Sequence, residues 1–266
     1  TGPTGALPPD AGGIDGAAPG GQQVASLPPP PPPAANTPRP ATATPAPAQA
    51  PAQALPGGGT PQDRLIAKAG SGDPKAALLL GLKYADGDGM AVNDSEAARW
   101  LEKAEMAGEP VAQYRLGTLY EKGRGVTMDA KQAVRWYTEA ARRGNRKAMH
   151  NLAVAYADGA GADKNFGEAV RWFKAAADLG LADSQFNLAV LYERGLGVTA
   201  SLTEAYKWYA IASAGGDTES KSRVEALATQ IQANEKVAAD KAVQGFKPQA
   251  LNVAANDPPA LAQVAQ

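Results

Sequence analysis

Tyr84, Tyr120, Tyr156 and Tyr192 stand 36 residues apart, and Trp100, Trp136, Trp172 and Trp208 keep the same period. A unit of that length cannot bury its own apolar face, so it must stack on copies of itself. The chain is therefore expected to be all-α, a solenoid of stacked helix pairs. Such arrays mostly present surface to partners.

Each unit reads as helix, glycine loop, helix, glycine stop. In the first helix the columns Leu80, Leu116, Leu152, Leu188 and Gly81, Gly117, Ala153, Ala189 run just ahead of the Tyr column. Leu and Tyr at i and i+4 share a face, and the small residue beside the Leu lets a neighbouring helix come close. The loops Gly87-Asp88-Gly89, Gly123-Arg124-Gly125, Gly159-Ala160-Gly161 and Gly195-Leu196-Gly197 place glycine where the chain leaves a helix in a left-handed conformation. Asn93, Asp129, Asn165 and Ser201, each followed three residues later by Glu96, Gln132, Glu168 or Glu204, predict four capping boxes at the starts of the second helices. Alanines at 97, 133, 169 and 205, the Trp column, and alanines at 104, 140, 176 and 212 form the packing stripe of those helices. Gly108, Gly144, Gly180 and Gly216 stop them, and Pro74 and Pro110 suit the first turns that follow.

The flanks differ in composition. Residues 1–60 carry only Asp10, Asp15 and Arg39 as charges, and 26 of these positions are Gly or Pro. Such a stretch buries too little apolar surface to offset its chain entropy, so a disordered linker is expected, with polyproline II character around Pro28 to Pro33. Residues 61–72 read as an N-terminal capping helix, followed by four repeats at 73–108, 109–144, 145–180 and 181–216. Residues 217–244 read as C-terminal capping helices, and 245–266, with only Lys247 and Asp257 charged, as a disordered tail. The chain opens on Thr1 without a basic-plus-apolar leader and reads as a fragment or processed product. Its longest apolar run, Ala76 to Leu80, is far short of the ~20 residues a membrane span needs.

Between the flanks, residues 61–244 hold 24 basic and 24 acidic side chains. Without a basic excess, neither nucleic acid nor direct membrane insertion is expected. Cysteine is absent and His150 is the one histidine, so no cofactor, metal site or cysteine nucleophile is expected. His150 falls in a column with Leu78, Tyr114 and Phe186, which assigns it to packing or to a groove. The Gly-x-Gly loops follow helices at a fixed period, unlike a dinucleotide fingerprint after a strand, and no Ser-x-x-Lys pattern occurs. No enzymatic activity is expected.

The residues from Ala112-Gln113-Tyr114-Arg115-Leu116-Gly117 through Tyr120 and Gly123-Arg124-Gly125-Val126 to Ala133-Val134-Arg135-Trp136-Tyr137 and Ala140-Ala141 resemble Sel1-like repeats, relatives of tetratricopeptide repeats. The resemblance extends over about 72–216. It implies right-handed superhelical stacking, a concave face lined by the first helices, and a role as non-catalytic adaptor or scaffold. By analogy with tetratricopeptide grooves, the concave face would present Tyr114, Arg115, His150, Asn151, Phe186 and Asn187 to a protein or peptide ligand. A basic cluster at Arg142, Arg143, Arg146 and Lys147 is the weaker candidate.

The Pro-rich linker, the four repeats and the tail Phe246-Lys247-Pro248-Gln249-Ala250-Leu251-Asn252-Val253 together resemble the periplasmic, carboxyl-terminal part of bacterial polar localisation factors. That resemblance implies a periplasmic segment behind an upstream membrane anchor, with protein or peptidoglycan as partner. The alternatives are a soluble periplasmic regulator restraining a sensor protein, a β-lactamase-like hydrolase, or a cytoplasmic location.

Overall fold

In the computed structural model, which describes residues 59–264, the period resolves into stacked helix pairs. Helix α1 (Pro61–Gly70) precedes four pairs: α2 (Pro74–Asp86) with α3 (Asp94–Glu105), α4 (Pro110–Lys122) with α5 (Ala130–Arg142), α6 (Arg146–Asp158) with α7 (Phe166–Asp178), and α8 (Ala182–Arg194) with α9 (Leu202–Ala214). Helices α10 (Thr218–Ala228) and α11 (Ala233–Gly245) follow, then the single turns α12 (Val253–Asn256) and α13 (Leu261–Val264). Among the described residues there is no strand, and no helix is long and apolar enough to cross a membrane. The all-α solenoid expected from the period is the fold. The expected linker, up to residue 58, lies outside the described residues.

Each second helix starts as the sequence indicates, but with half of the expected cap. The side chains of Asn93, Asp129, Asn165 and Ser201 accept hydrogen bonds from the amides of Glu96, Gln132, Glu168 and Glu204 at 3.1 to 3.2 Å. The reciprocal bonds of a capping box are not made there. The backbone N–H that each would use already donates to the carbonyl of Tyr84, Tyr120, Tyr156 or Tyr192, at 2.8 to 2.9 Å. The acids at 96, 168 and 204 turn instead to Arg99, Arg171 and Lys207. A complete box does form at α1, between Thr60 and Asp63.

The second glycine of three loops does more than turn the chain. A Cβ built on Gly125 would stand 2.2 Å from the Asp94 carbonyl oxygen, one on Gly161 2.2 Å from the Ala130 carbonyl oxygen, and one on Gly197 2.3 Å from the Phe166 carbonyl carbon. These atoms open the second helix of the preceding unit. Each loop is therefore pressed onto its neighbour, and the stacking distance is set by backbone. Within a pair the same device recurs: a Cβ on Gly117 would stand 2.5 Å from Tyr137 Cε1, so the small-residue column admits the second helix. Leu80, Leu116, Leu152 and Leu188 are fully buried in the resulting core. In the Trp column Trp100 and Trp208 are buried, whereas Trp136 and Trp172 are only half-buried, with an arginine over each ring.

The C-terminal end departs from expectation. Helix α11 packs on α9, with Ala239 buried and the Tyr206 hydroxyl donating to Asp240 (2.7 Å), while Val237 is exposed. The loose tail expected over 245–266 is not what the described residues 245–264 show. Phe246 stacks edge-on against Trp208, the Gln249 amide donates to the Asp178 carbonyl at 2.8 Å, and Ala255 and Val264 are buried. Low charge and proline, read as marks of disorder, here belong to a segment that the array itself holds.

Candidate functional site

The expected row splits into rings that face inward and polar side chains beside them. Tyr114 lies 6.2 Å from Tyr137, His150 5.5 Å from Phe173 and Phe186 5.4 Å from Tyr209, centroid to centroid, the last two edge-on. In each case the partner stands on the second helix of the same pair. Phe186 is buried and Tyr114 and His150 are half-buried, as Leu78 is buried in the first unit. These rings form the seam between the helices of a pair, and Phe186 in particular offers a ligand almost nothing.

His150 belongs to that seam. Its Nδ1 lies 2.8 Å from the Oγ of Ser184, which is fully buried on α8, so the imidazole also links adjacent first helices. Burial holds its pKa below the ordinary value, against a small opposing pull from Asp183. The Ser184 hydroxyl beside it is fully buried and open to no substrate, and no cluster of metal-ligating side chains occurs among the described residues.

Arg115, Asn151 and Asn187 are the half-exposed members of the row. Arg115 reaches Asp86 at 3.2 Å. Asn151 lies by the Tyr137 hydroxyl, which donates to Glu121 at 2.9 Å. The same arrangement returns two units later: Tyr209 donates to Glu193 at 2.9 Å, and Arg223 pairs with that carboxylate. Burial raises the pKa of both tyrosines, with Glu121 and Glu193 adding to it, so the hydroxyls stay protonated and donate. Glu121, Glu193 and Arg223 were missed by the sequence reading. The signal was present, since Arg223 lies 36 residues beyond Asn187, and each Glu directly follows a Tyr of the repeating column.

The units thus alternate. Tyr-Glu is followed by a basic residue and glycine at Tyr120-Glu121-Lys122-Gly123 and Tyr192-Glu193-Arg194-Gly195, whereas the first and third units read Tyr84-Ala85-Asp86-Gly87 and Tyr156-Ala157-Asp158-Gly159. Asp86, Lys122, Asp158 and Arg194 are all exposed. The basic cluster is less coherent than it looked. Arg142 pairs with Glu139, Arg146 donates to the Leu179 carbonyl, and Arg143 lies over Gly108.

The family model that matches is that of the Sel1 repeat, over residues 74–109, 110–145, 146–181 and 182–217. Among curated proteins none matches the chain. Among solved structures, a Sel1 repeat protein from Oxalobacter formigenes is similar at 28% identity and a TM-score of 0.59, over 69% of this chain and 77% of that one. A protective antigen present in uropathogenic Escherichia coli strains, described as displaying an SLR fold, is similar at 37% identity and a TM-score of 0.58, over 60% of this chain. The match spans only 34% of that antigen's length.

Proposed function

Because the chain belongs to the Sel1 repeat family, whose members are protein-interaction scaffolds, we propose that its array binds an extended protein segment along the polar row of its first helices, as the periplasmic part of a membrane-anchored localisation or cell-division factor. One observation carries the binding mode. Arg115, Asn151, Asn187 and Arg223 recur at 36-residue steps on successive first helices, so the row offers one hydrogen-bonding side chain per unit. Asparagine can both donate to and accept from a peptide backbone, and arginine can meet a carboxylate, which suits an extended peptide. Peptidoglycan is the competing ligand. The periplasmic setting rests on the resemblance of the linker, repeats and tail to polar localisation factors.

The test is a pull-down from an envelope fraction beside co-sedimentation with purified sacculi. Arg115→Ala combined with Asn187→Ala should weaken capture of a protein partner by about 1–3 kcal/mol while leaving the melting temperature within a degree or two. Asn187 is the better probe of the two asparagines, because Asn151 lies by the buried Tyr137 hydroxyl. Sacculus binding that matches the wild type's protein capture and is lost with the same double variant would replace the peptide by the wall polymer. A protease-protection assay on cells decides the compartment.

A further inference from the structure

Residues 246–264 stand outside the repeats in sequence, yet lie on them as a ligand would. After the Phe246–Trp208 contact the chain runs back toward the start of the array, with Pro248 against Gly180 and the Gln249 amide on the Asp178 carbonyl. At the turn between α5 and α6 the contact becomes specific. Asn145, only 2% exposed, accepts from the Ala148 amide through Oδ1 and donates through Nδ2 to the Ala255 carbonyl at 2.6 Å. The carboxamide of Asn256 is read at both ends: its Oδ1 accepts from the Arg146 amide at 2.9 Å and its Nδ2 donates to the Gly144 carbonyl at 3.0 Å. Ala255, 1% exposed, lies beside Gly144. Further on, Leu261 and Val264 join the apolar cluster of α1 and α2 around Leu65.

No other turn of the array could read this segment in the same way. The residues equivalent to Asn145 are Asp73, Glu109, Leu181 and Asp217, none with a carboxamide, and those equivalent to Arg146 include Pro74 and Pro110, which have no N–H to give. The bonds link neutral groups to one another, and the segment carries only Lys247 and Asp257 as charges. A carboxamide bonded at donor and acceptor, with an alanine seated beside it, discriminates against both carboxylates and apolar side chains, because either leaves a backbone group unpaired.

We propose that the surface from Gly180 through Gly144 to the first helix pair is a recognition site for an uncharged, asparagine-bearing peptide, and that the chain's own tail fills it in cis. Helix α12 also packs on α4, the helix of Arg115, but none of the tail's hydrogen bonds uses Arg115, Asn151, Asn187 or Arg223, so variants of Asn256 test this site without touching the polar row. Tethering gives the tail an effective concentration in the millimolar range, so a free peptide of the same chemistry gains access only when the tail is weakened.

A fluorescein-labelled synthetic peptide with the sequence of residues 246–264, titrated into the full chain, tests this. The wild-type chain should bind it at least ~10-fold more weakly than Asn256→Ala, whose own tail no longer competes well. The same peptide with Ala in place of its asparagine at 256 should lose about tenfold against that variant. Asn256→Asp, which keeps an acceptor but cannot donate to the Gly144 carbonyl, should behave like Asn256→Ala. Amide exchange at Arg146 should accelerate in both variants while exchange within α8 and α9 stays unchanged, which separates release of the tail from unfolding. Peptide binding that ignores the asparagine, an Arg146 amide that stays protected in Asn256→Ala, or failure of that variant to take up the peptide would overturn the proposal. A wild-type dimer at micromolar concentration in sedimentation would also overturn the assignment in cis, by placing a second copy's tail on the surface.

Discussion

His150 sits edge-on to Phe173 with its Nδ1 against Ser184, and burial depresses its pKa. The sign of the pH dependence follows. A histidine held below its ordinary pKa of 6.5 contributes stability that is fully present above that value and is lost as pH falls through the folded-state pKa, because the unfolded chain takes up the proton first. His150→Phe, which copies Phe186 in the same column, should therefore lose less melting temperature than the wild type between pH 7.5 and pH 5. Equal losses would mean that the ring titrates freely. Tyr137→Phe is the companion test. Without its hydroxyl, Glu121 loses its partner, and the array should lose about 1 kcal/mol in denaturant melts. The 36-residue register identified the columns to which these residues belong. It could not tell that the ring at 114, 150 or 186 meets the second helix of its own pair, because that depends on the crossing of two helices and not on the period of either.

At the scale of elements, helix starts, glycine stops and first-turn prolines were legible because each rests on local backbone chemistry. The capping boxes were half legible. Cap side chains depend on neighbours three residues away, but the N–H they would have shared is claimed by a tyrosine carbonyl nine residues earlier, a loop closure the motif does not encode. The loops yield a sharper test. Gly89 and Gly125 both hold positive φ, yet a Cβ on Gly89 comes no closer than 3.6 Å to any atom, whereas one on Gly125 collides with Asp94 backbone. Gly89→Ala should cost about 1 kcal/mol from its left-handed conformation alone, and Gly125→Ala about 2–3 kcal/mol, because the adjacent unit must move as well. Thermal melts of the two variants compare them directly, and equal costs would show that the contact between loop and preceding helix is slack.

For the whole molecule, the repeat array was readable from end to end while the path of the tail was not, since its composition is that of a disordered segment and its docking depends on one asparagine cap and one free amide in the third unit. Val264 and Leu65 lie at opposite ends of the described chain and share one apolar cluster. Val264→Asp should place an unpaired charge there, weakening that end by ~1–3 kcal/mol. Hydrogen exchange should then speed up in α1 and α2 and remain unchanged in α8 and α9; a uniform change along the array would mean that the tail does not couple to the first helices in particular. The alternation of units has its own consequence for anything that lies along the exposed edge. Asp86 and Asp158 stand alone, whereas Lys122 and Arg194 each follow a glutamate, so a charged ligand shifted by one unit meets a different local charge, and only a shift of two restores the match. Although the backbone repeats every 36 residues, its electrostatic phase repeats every 72, and a ligand's position along the array is thereby locked to odd or even units.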